Sequence, residues 1–159
     1  MQIYLLRHGI AEELAASGRD ADRRLTPEGR KRLAAILKRA AAGGVEPSLI
    51  LSSPLVRARQ TAEMAAKGLG YAKEILLTEA LEPDGTPEGV WDELRAHRGE
   101  PQVLLAGHEP LFSQLGAFLL GTPTLEIDFK KGALLRVDCD SLGARPRGVL
   151  KWLLVPRLS

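Results

Sequence analysis

Two arginines and two histidines in this 159-residue chain stand where apolar runs break off. Arg7 and His8 follow Ile3-Tyr4-Leu5-Leu6, Arg57 comes shortly after Leu49-Ile50-Leu51, and His108 follows Val103-Leu104-Leu105-Ala106. Guanidinium groups are forked donors that match phosphate oxygens two at a time. A neutral imidazole is a nucleophile that can take up a phosphoryl group. Neighbouring guanidinium charge disfavours its protonated form and keeps a ring nitrogen free at neutral pH. The same cations stabilise negative charge spread over a phosphoryl group in transit, and a second imidazole, when protonated, adds a donor. These residue types therefore point to phosphoryl binding and transfer. No spacing of His, Cys or carboxylates suggests metal ligands, and no cofactor is implied. On its own, Arg7-His8-Gly9 also fits a plain strand end with Gly9 at a positive φ. The choice depends on whether the three breaks meet.

The elements that would carry them alternate strand and helix. Ile3–Leu6 is a continuous apolar run, the pattern of a strand buried on both faces. Glu12–Arg24 is polar and small, a surface loop or short helix. Thr26-Pro27 opens a helix, with Thr as N-cap and Pro at its first position. Leu33, Ile36, Leu37 and Ala40 form its apolar face, and Gly43-Gly44 closes it. A second strand at Leu49–Leu51 leads to a helix expected from Ser53-Pro54 towards Gly68. Ile75–Leu77 is a brief third strand, and Thr86-Pro87 starts a helix through Trp91 and Leu94. Val103–Ala106 is a fourth strand, and Pro110 opens a helix through Leu111, Leu115 and Phe118. Ala133–Val137 and Val149–Val155 read as two closing strands joined by a short connection with a turn near Gly143. The order predicts a single α/β domain over residues 1–159: a three-layer sandwich with a mostly parallel central sheet flanked by helices and antiparallel edge strands. In such a sheet ligands sit beyond the carboxyl ends of the strands, beside helix N-termini. Arg7, His8, Arg57 and His108 all belong to those ends.

Composition narrows the classes further. Hydrophobic residues make up 45% and charged residues 26%, as in ordinary globular proteins. A net charge of +2 and 4% aromatics leave little for nucleic acid. A single cysteine, Cys139, excludes an internal disulfide. No segment approaches a membrane span or a signal peptide, so a cytoplasmic location is expected.

LLRHG, SSPLVRARQTAE and AGHEP, in this order, resemble the signature of the histidine phosphatase superfamily, which includes phosphoglycerate mutases. Within it the chain is similar to the short phosphohistidine phosphatases of the SixA type. RRLTPEGR, Arg23–Arg30, after Asp20 or Asp22, also resembles that subgroup. The resemblance runs from Met1 to about Leu120. It implies that His8 is the nucleophile that becomes phosphorylated, and that Arg7, Arg57 and His108 form the phosphate pocket. It also implies that a backbone carbonyl near Gly9 holds the proton of the other His8 nitrogen. Many relatives carry a glutamate after the third strand that protonates the leaving oxygen. Here TEALEPDGTPEG offers Glu79, Glu82, Asp84 and Glu88; Glu82 is the choice by position and Asp84 the second, with a solvated loop carboxylate the plain alternative for each.

Other polar residues have structural readings. His97 suits a helix C-terminus, Arg59 a surface ion pair, Arg30–Arg32 a solvated helix face, and Cys139 an inert buried position. Between the Arg57 motif and His108 the chain has room for one strand and one helix and only a minimal lid. That openness points to a phosphorylated protein as substrate, with a histidine phosphotransfer domain as one candidate. A phosphohistidine leaves as an imidazole and is less dependent on a well-placed acid than an ester. The expected function is therefore metal-independent dephosphorylation of phosphohistidine on a partner. The alternatives are a phosphomonoesterase of small metabolites and a non-catalytic module that docks a phosphorylated ligand.

Overall fold

The structure is a computed structural model and describes residues 1–157. One sheet of six strands is built from β1 (Gln2–Arg7), β2 (Leu49–Ser52), β3 (Leu76–Leu77), β4 (Gln102–Gly107), β5 (Leu134–Asp138) and β6 (Val149–Leu154). Their spatial order is β3-β2-β4-β1-β5-β6. The first four are parallel, and β5 and β6 run antiparallel at one edge. Four helices flank the sheet: α1 (Pro27–Ala42), α2 (Val56–Gly68), α3 (Pro87–Ala96) and α4 (Leu111–Leu119).

The continuous apolar runs have a simple cause. Side chains alternate across a strand, and here both faces are covered. Ile3 and Leu5 of β1, with Val103 and Leu105 of β4, pack beneath α3 and α4 against Trp91, Leu94, Leu111 and Phe112. Tyr4, Leu6, Leu104 and Ala106 face the other way, against Leu33, Ile36 and Leu37 of α1 and Ala62 and Ala65 of α2. A charged residue on either face of these strands would be stranded in a core, so polar groups begin only where the strands end.

Both TPEG starts fold as expected: Thr26 and Thr86 accept hydrogen bonds from the N–H groups of Gly29 and Gly89, with proline next in line. Two expectations need correction. The helix anticipated at Ser53-Pro54 begins at Val56, its N-cap Leu55 lacks a side-chain cap, and Ser53 is used elsewhere. The connection between β5 and β6 is no tight turn but the segment 139–148. It is held to α3 by Trp91 Nε1 donating to Gly143 O at 3.0 Å and Arg95 Nε donating to Leu142 O at 3.2 Å.

Candidate active site

β2, β4 and β1 lie side by side and end level, with Arg7 paired to Gly107 and Ser52 to Ala106. Two further backbone bonds keep their exits abreast: His8 N–H donates to Gly107 O, and Ser53 N–H to Ala106 O, each at 3.0 Å. All three chemistry-bearing segments thus leave the sheet at one rim. The His8 and His108 rings come within 5.1 Å of each other, centre to centre.

His8 is 6% exposed, and its Nδ1 lies 2.7 Å from Gly9 O. A carbonyl oxygen only accepts, so Nδ1 carries the proton and Nε2 keeps its lone pair. Burial drives the imidazole down from 6.5 to about 3, against the pull of the Gly9 hydrogen bond; Arg57, Arg7 and Lys131 lower it further. Guanidinium charge, the cause expected from the sequence, acts here behind desolvation. The Gly9 backbone is fixed in turn, because its N–H donates to Thr61 Oγ1 at 3.2 Å. Thr61 stands one helical turn after Arg57 and donates its own hydroxyl proton to Arg57 O at 2.8 Å.

Arg57, the second residue of α2, is 4% exposed. It donates from Nη1 to Asp20 O at 3.0 Å and from Nη2 to Asp20 Oδ2 at 3.2 Å. Asp20 opens a single 3-10 turn, Asp20–Asp22, inside the loop expected at Glu12–Arg24, and Arg23 holds its other carboxylate oxygen at 2.9 Å. Arg7 donates from Nη1 to Phe129 O at 2.6 Å. His108 is 1% exposed and meets Ser53 Oγ through Nε2 at 2.8 Å. Burial lowers it to about 3 as well, reinforced by His8, Arg57 and Arg7 and opposed by Asp20.

Among the described residues three buried side-chain polar atoms have no hydrogen-bond partner: Arg7 Nε, Arg57 Nε and His108 Nδ1. Unmet buried polar atoms cost on the order of 1–3 kcal/mol each, and the two arginine Nε–H groups are donors in any protonation state. Their concentration in one cluster is what a site shaped for an oxyanion requires.

The carboxylate candidates are less closely engaged. Glu82 ends the 3-10 turn Glu79–Leu81 and is half-buried. That turn reaches the rim, since Leu81 O lies 3.4 Å from where a Cβ on Gly107 would stand. No hydrogen bond among the described residues ties the Glu82 carboxylate to His8 or either arginine, and Asp84, Glu79 and Glu88 are exposed. His97 is the C-cap of α3, Arg59 is exposed with Glu63 at 3.8 Å, and Arg32 pairs with Glu28 at 2.8 Å. Cys139 is buried, its thiol raised to about 11 by desolvation. Among the described residues no three His, Cys, Asp or Glu side chains gather as a metal-binding group.

Sequence reasoning missed Ser53 and Thr61. Ser53 was read as a helix start, although Ser52-Ser53 at the end of an apolar strand is itself a signal of polar use. Thr61 could have been found as the hydroxyl four residues after Arg57, on the same helix face.

Residues 3–83 match the histidine phosphatase superfamily, branch 1. The chain belongs to the histidine phosphatase superfamily. Over 158 residues the chain is 31% identical to phosphohistidine phosphatase SixA of Escherichia coli K12, covering 98% of this chain and 94% of that protein. It is 33% identical over 139 residues to an uncharacterised protein of a Picosynechococcus strain, 85% of this chain and 83% of the other. The solved structure of protein histidine phosphatase SixA with tungstate has the same fold, at a TM-score of 0.86 and 31% identity over 98% of this chain and 97% of that one. The likeness therefore extends past Leu120, the reach of the motifs, and takes in the closing strands. The family match, together with the full-length likeness to SixA, makes the enzyme class a phosphatase.

Proposed function

We propose that this phosphatase hydrolyses phosphohistidine on a partner protein, without a metal, through a phosphorylated His8. The observation that carries the reading is the cluster of unmet donors, Arg7 Nε, Arg57 Nε and His108 Nδ1, around an imidazole of fixed tautomer. Phosphoryl oxygens would accept from these donors and hold phosphorus in line with His8 Nε2. Ser53 Oγ accepts from Leu55 N–H at 3.2 Å and lies 2.8 Å from His108 Nε2; when the serine donates its proton to Nε2, His108 carries its own proton on Nδ1. In the first step the Nε2–P bond of His8 forms as the bond from phosphorus to the leaving ring breaks; that ring carries a proton on its other nitrogen and departs as neutral imidazole. In the second, water attacks phosphorus, the Nε2–P bond breaks, and inorganic phosphate leaves with His8 neutral again. The proton stays on Nδ1, donated to the Gly9 carbonyl, throughout.

Phosphohistidine is favoured as substrate for two reasons. The SixA relative is named for that activity and spans the whole chain. The acid candidate Glu82 is not locked onto the reacting centre, which an imidazole leaving group tolerates better than an alkoxide. The half-buried position of Glu82, next in chain to Leu81 at the rim, favours a second reading, a phosphomonoesterase with Glu82 as acid. A cytoplasmic phosphoprotein, such as a histidine phosphotransfer domain, is the partner class that fits the first reading.

Phosphate release from a phosphohistidine-carrying protein and from an aryl phosphate, in the presence of chelator, separates the two. The proposal predicts kcat/KM at least about tenfold higher on the phosphohistidine protein, a difference of about 1.4 kcal/mol in transition-state stabilisation. Preferential turnover of the ester, or loss of activity with chelator, contradicts it.

A further inference from the structure

Beside the phosphate pocket, and sharing Arg7 with it, runs a groove of about 530 Å³. Arg32, Lys130, Lys131 and Arg157 line it together with Arg7, and Asp128 is its one carboxylate. Five cations against one anion is an excess of four, in a chain whose 22 Lys and Arg exceed its 20 Asp and Glu by only two. Positive charge is therefore gathered at this wall. Two of the cations already have partners, Lys130 with Asp128 at 3.0 Å and Arg32 with Glu28 at 2.8 Å. Among the described residues Lys131 and Arg157 pair with no carboxylate.

The groove is tied to the site backbone. Gly132 N–H donates to both Arg7 O at 3.2 Å and His8 O at 3.1 Å, and Ala133 N–H closes the turn on Lys130 O at 3.0 Å. Gly132 holds a positive φ of 76°, and Pro156 lies 3.4 Å from where its Cβ would be, which brings the segment before Arg157 against the same turn. The cations come from the end of β1, from α1, from the turn before β5 and from the segment after β6. Charge spread over four segments suits a ligand with several separated carboxylates better than one compact anion.

We propose that this groove seats acidic side chains flanking the phosphohistidine of the partner protein. The enzyme then selects phosphohistidines set among Asp and Glu. This rests on the reading of His8 as a phosphohistidine hydrolase and adds its substrate preference.

Two phosphohistidine peptides of equal length test it, one flanked by Glu and one by Gln at the same positions. At low ionic strength the wild type should turn over the Glu peptide with kcat/KM about tenfold higher, mainly through KM, and added salt should shrink the difference. Lys130→Glu/Arg157→Glu should lose that preference while keeping turnover of the Gln peptide within about twofold. Lys130→Gln/Arg157→Gln, a milder change, should fall between. Equal turnover of the two peptides by the wild type, or equal losses on both in the variant, overturns the proposal. Should neither peptide be hydrolysed while an aryl phosphate is, the phosphohistidine reading has failed, and the groove is judged by calorimetric titration with the unphosphorylated peptides. Tighter binding of the Glu peptide by the wild type than by the double Glu variant then supports an acidic ligand; equal binding overturns it.

Discussion

His8 is kept neutral and aimed by different groups. Burial denies it a proton, and the Gly9 carbonyl decides which nitrogen stays bare. His108 shares the first constraint, and Ser53 Oγ meets it at the other ring nitrogen, Nε2. Because both imidazoles titrate far below 6.5 in the folded protein, the unfolded chain binds more protons between about pH 3 and pH 6.5. Their effect on stability is therefore favourable to folding above about pH 6.5 and is lost as pH falls towards 3, at up to about 1.4 kcal/mol per pH unit for each. Urea unfolding between about pH 4 and pH 7 should show stability falling with acid, and His8→Ala should flatten that slope. An unchanged slope in the variant would mean that His8 is protonated in the native protein. His8, both arginines and His108 were legible in the sequence as candidates, because each follows the end of an apolar run. Ser53 and Thr61 were not, since hydroxyls at helix starts and on helix faces are usually structural.

At the scale of elements, the site depends on how closely α1 approaches the segment that leaves β1. A Cβ on Gly29 would meet the carbonyl oxygen of Ile10 and stand 2.9 Å from Ile10 N. Ile10 O also accepts from Thr26 N–H at 2.9 Å, so the N-terminus of α1 is moored to the residues just after His8. Gly29→Ala should push α1 away, cost on the order of 1–3 kcal/mol, and lower activity by moving Gly9 and His8. Thermal unfolding and kcat together check this; a variant with unchanged melting temperature and kcat would show that the contact relaxes without reaching the site. The sequence placed α1 and α3 well because Thr-Pro starts are chemically explicit. It misplaced the start of α2, where Ser53, expected at the helix start, turns instead to His108. It also shortened the β5–β6 connection, whose hold on α3 is through backbone carbonyls that no side-chain pattern announces.

Over the whole molecule, the parallel order β3-β2-β4-β1 gathers three strand exits at one rim, and the antiparallel pair β5-β6 supplies the flanking turn at Lys130–Gly132. Alternating elements in the sequence were enough to predict the layers, but the order of strands depends on tertiary packing. The basic groove has no sequence signature for the same reason, since Arg32, Lys130 and Arg157 lie far apart in the chain and meet only in the fold. In the proposed mechanism the phosphoryl group passes through His8. Its most direct test mixes the enzyme with a phosphohistidine protein, quenches within one turnover in alkaline denaturant, and maps the adduct by mass spectrometry. The account predicts one phosphoryl group on the peptide containing His8, decaying as phosphate appears, and loss of turnover by about a thousandfold or more in His8→Ala. Phosphate release at the wild-type rate by His8→Ala, or an adduct on another residue, would contradict it.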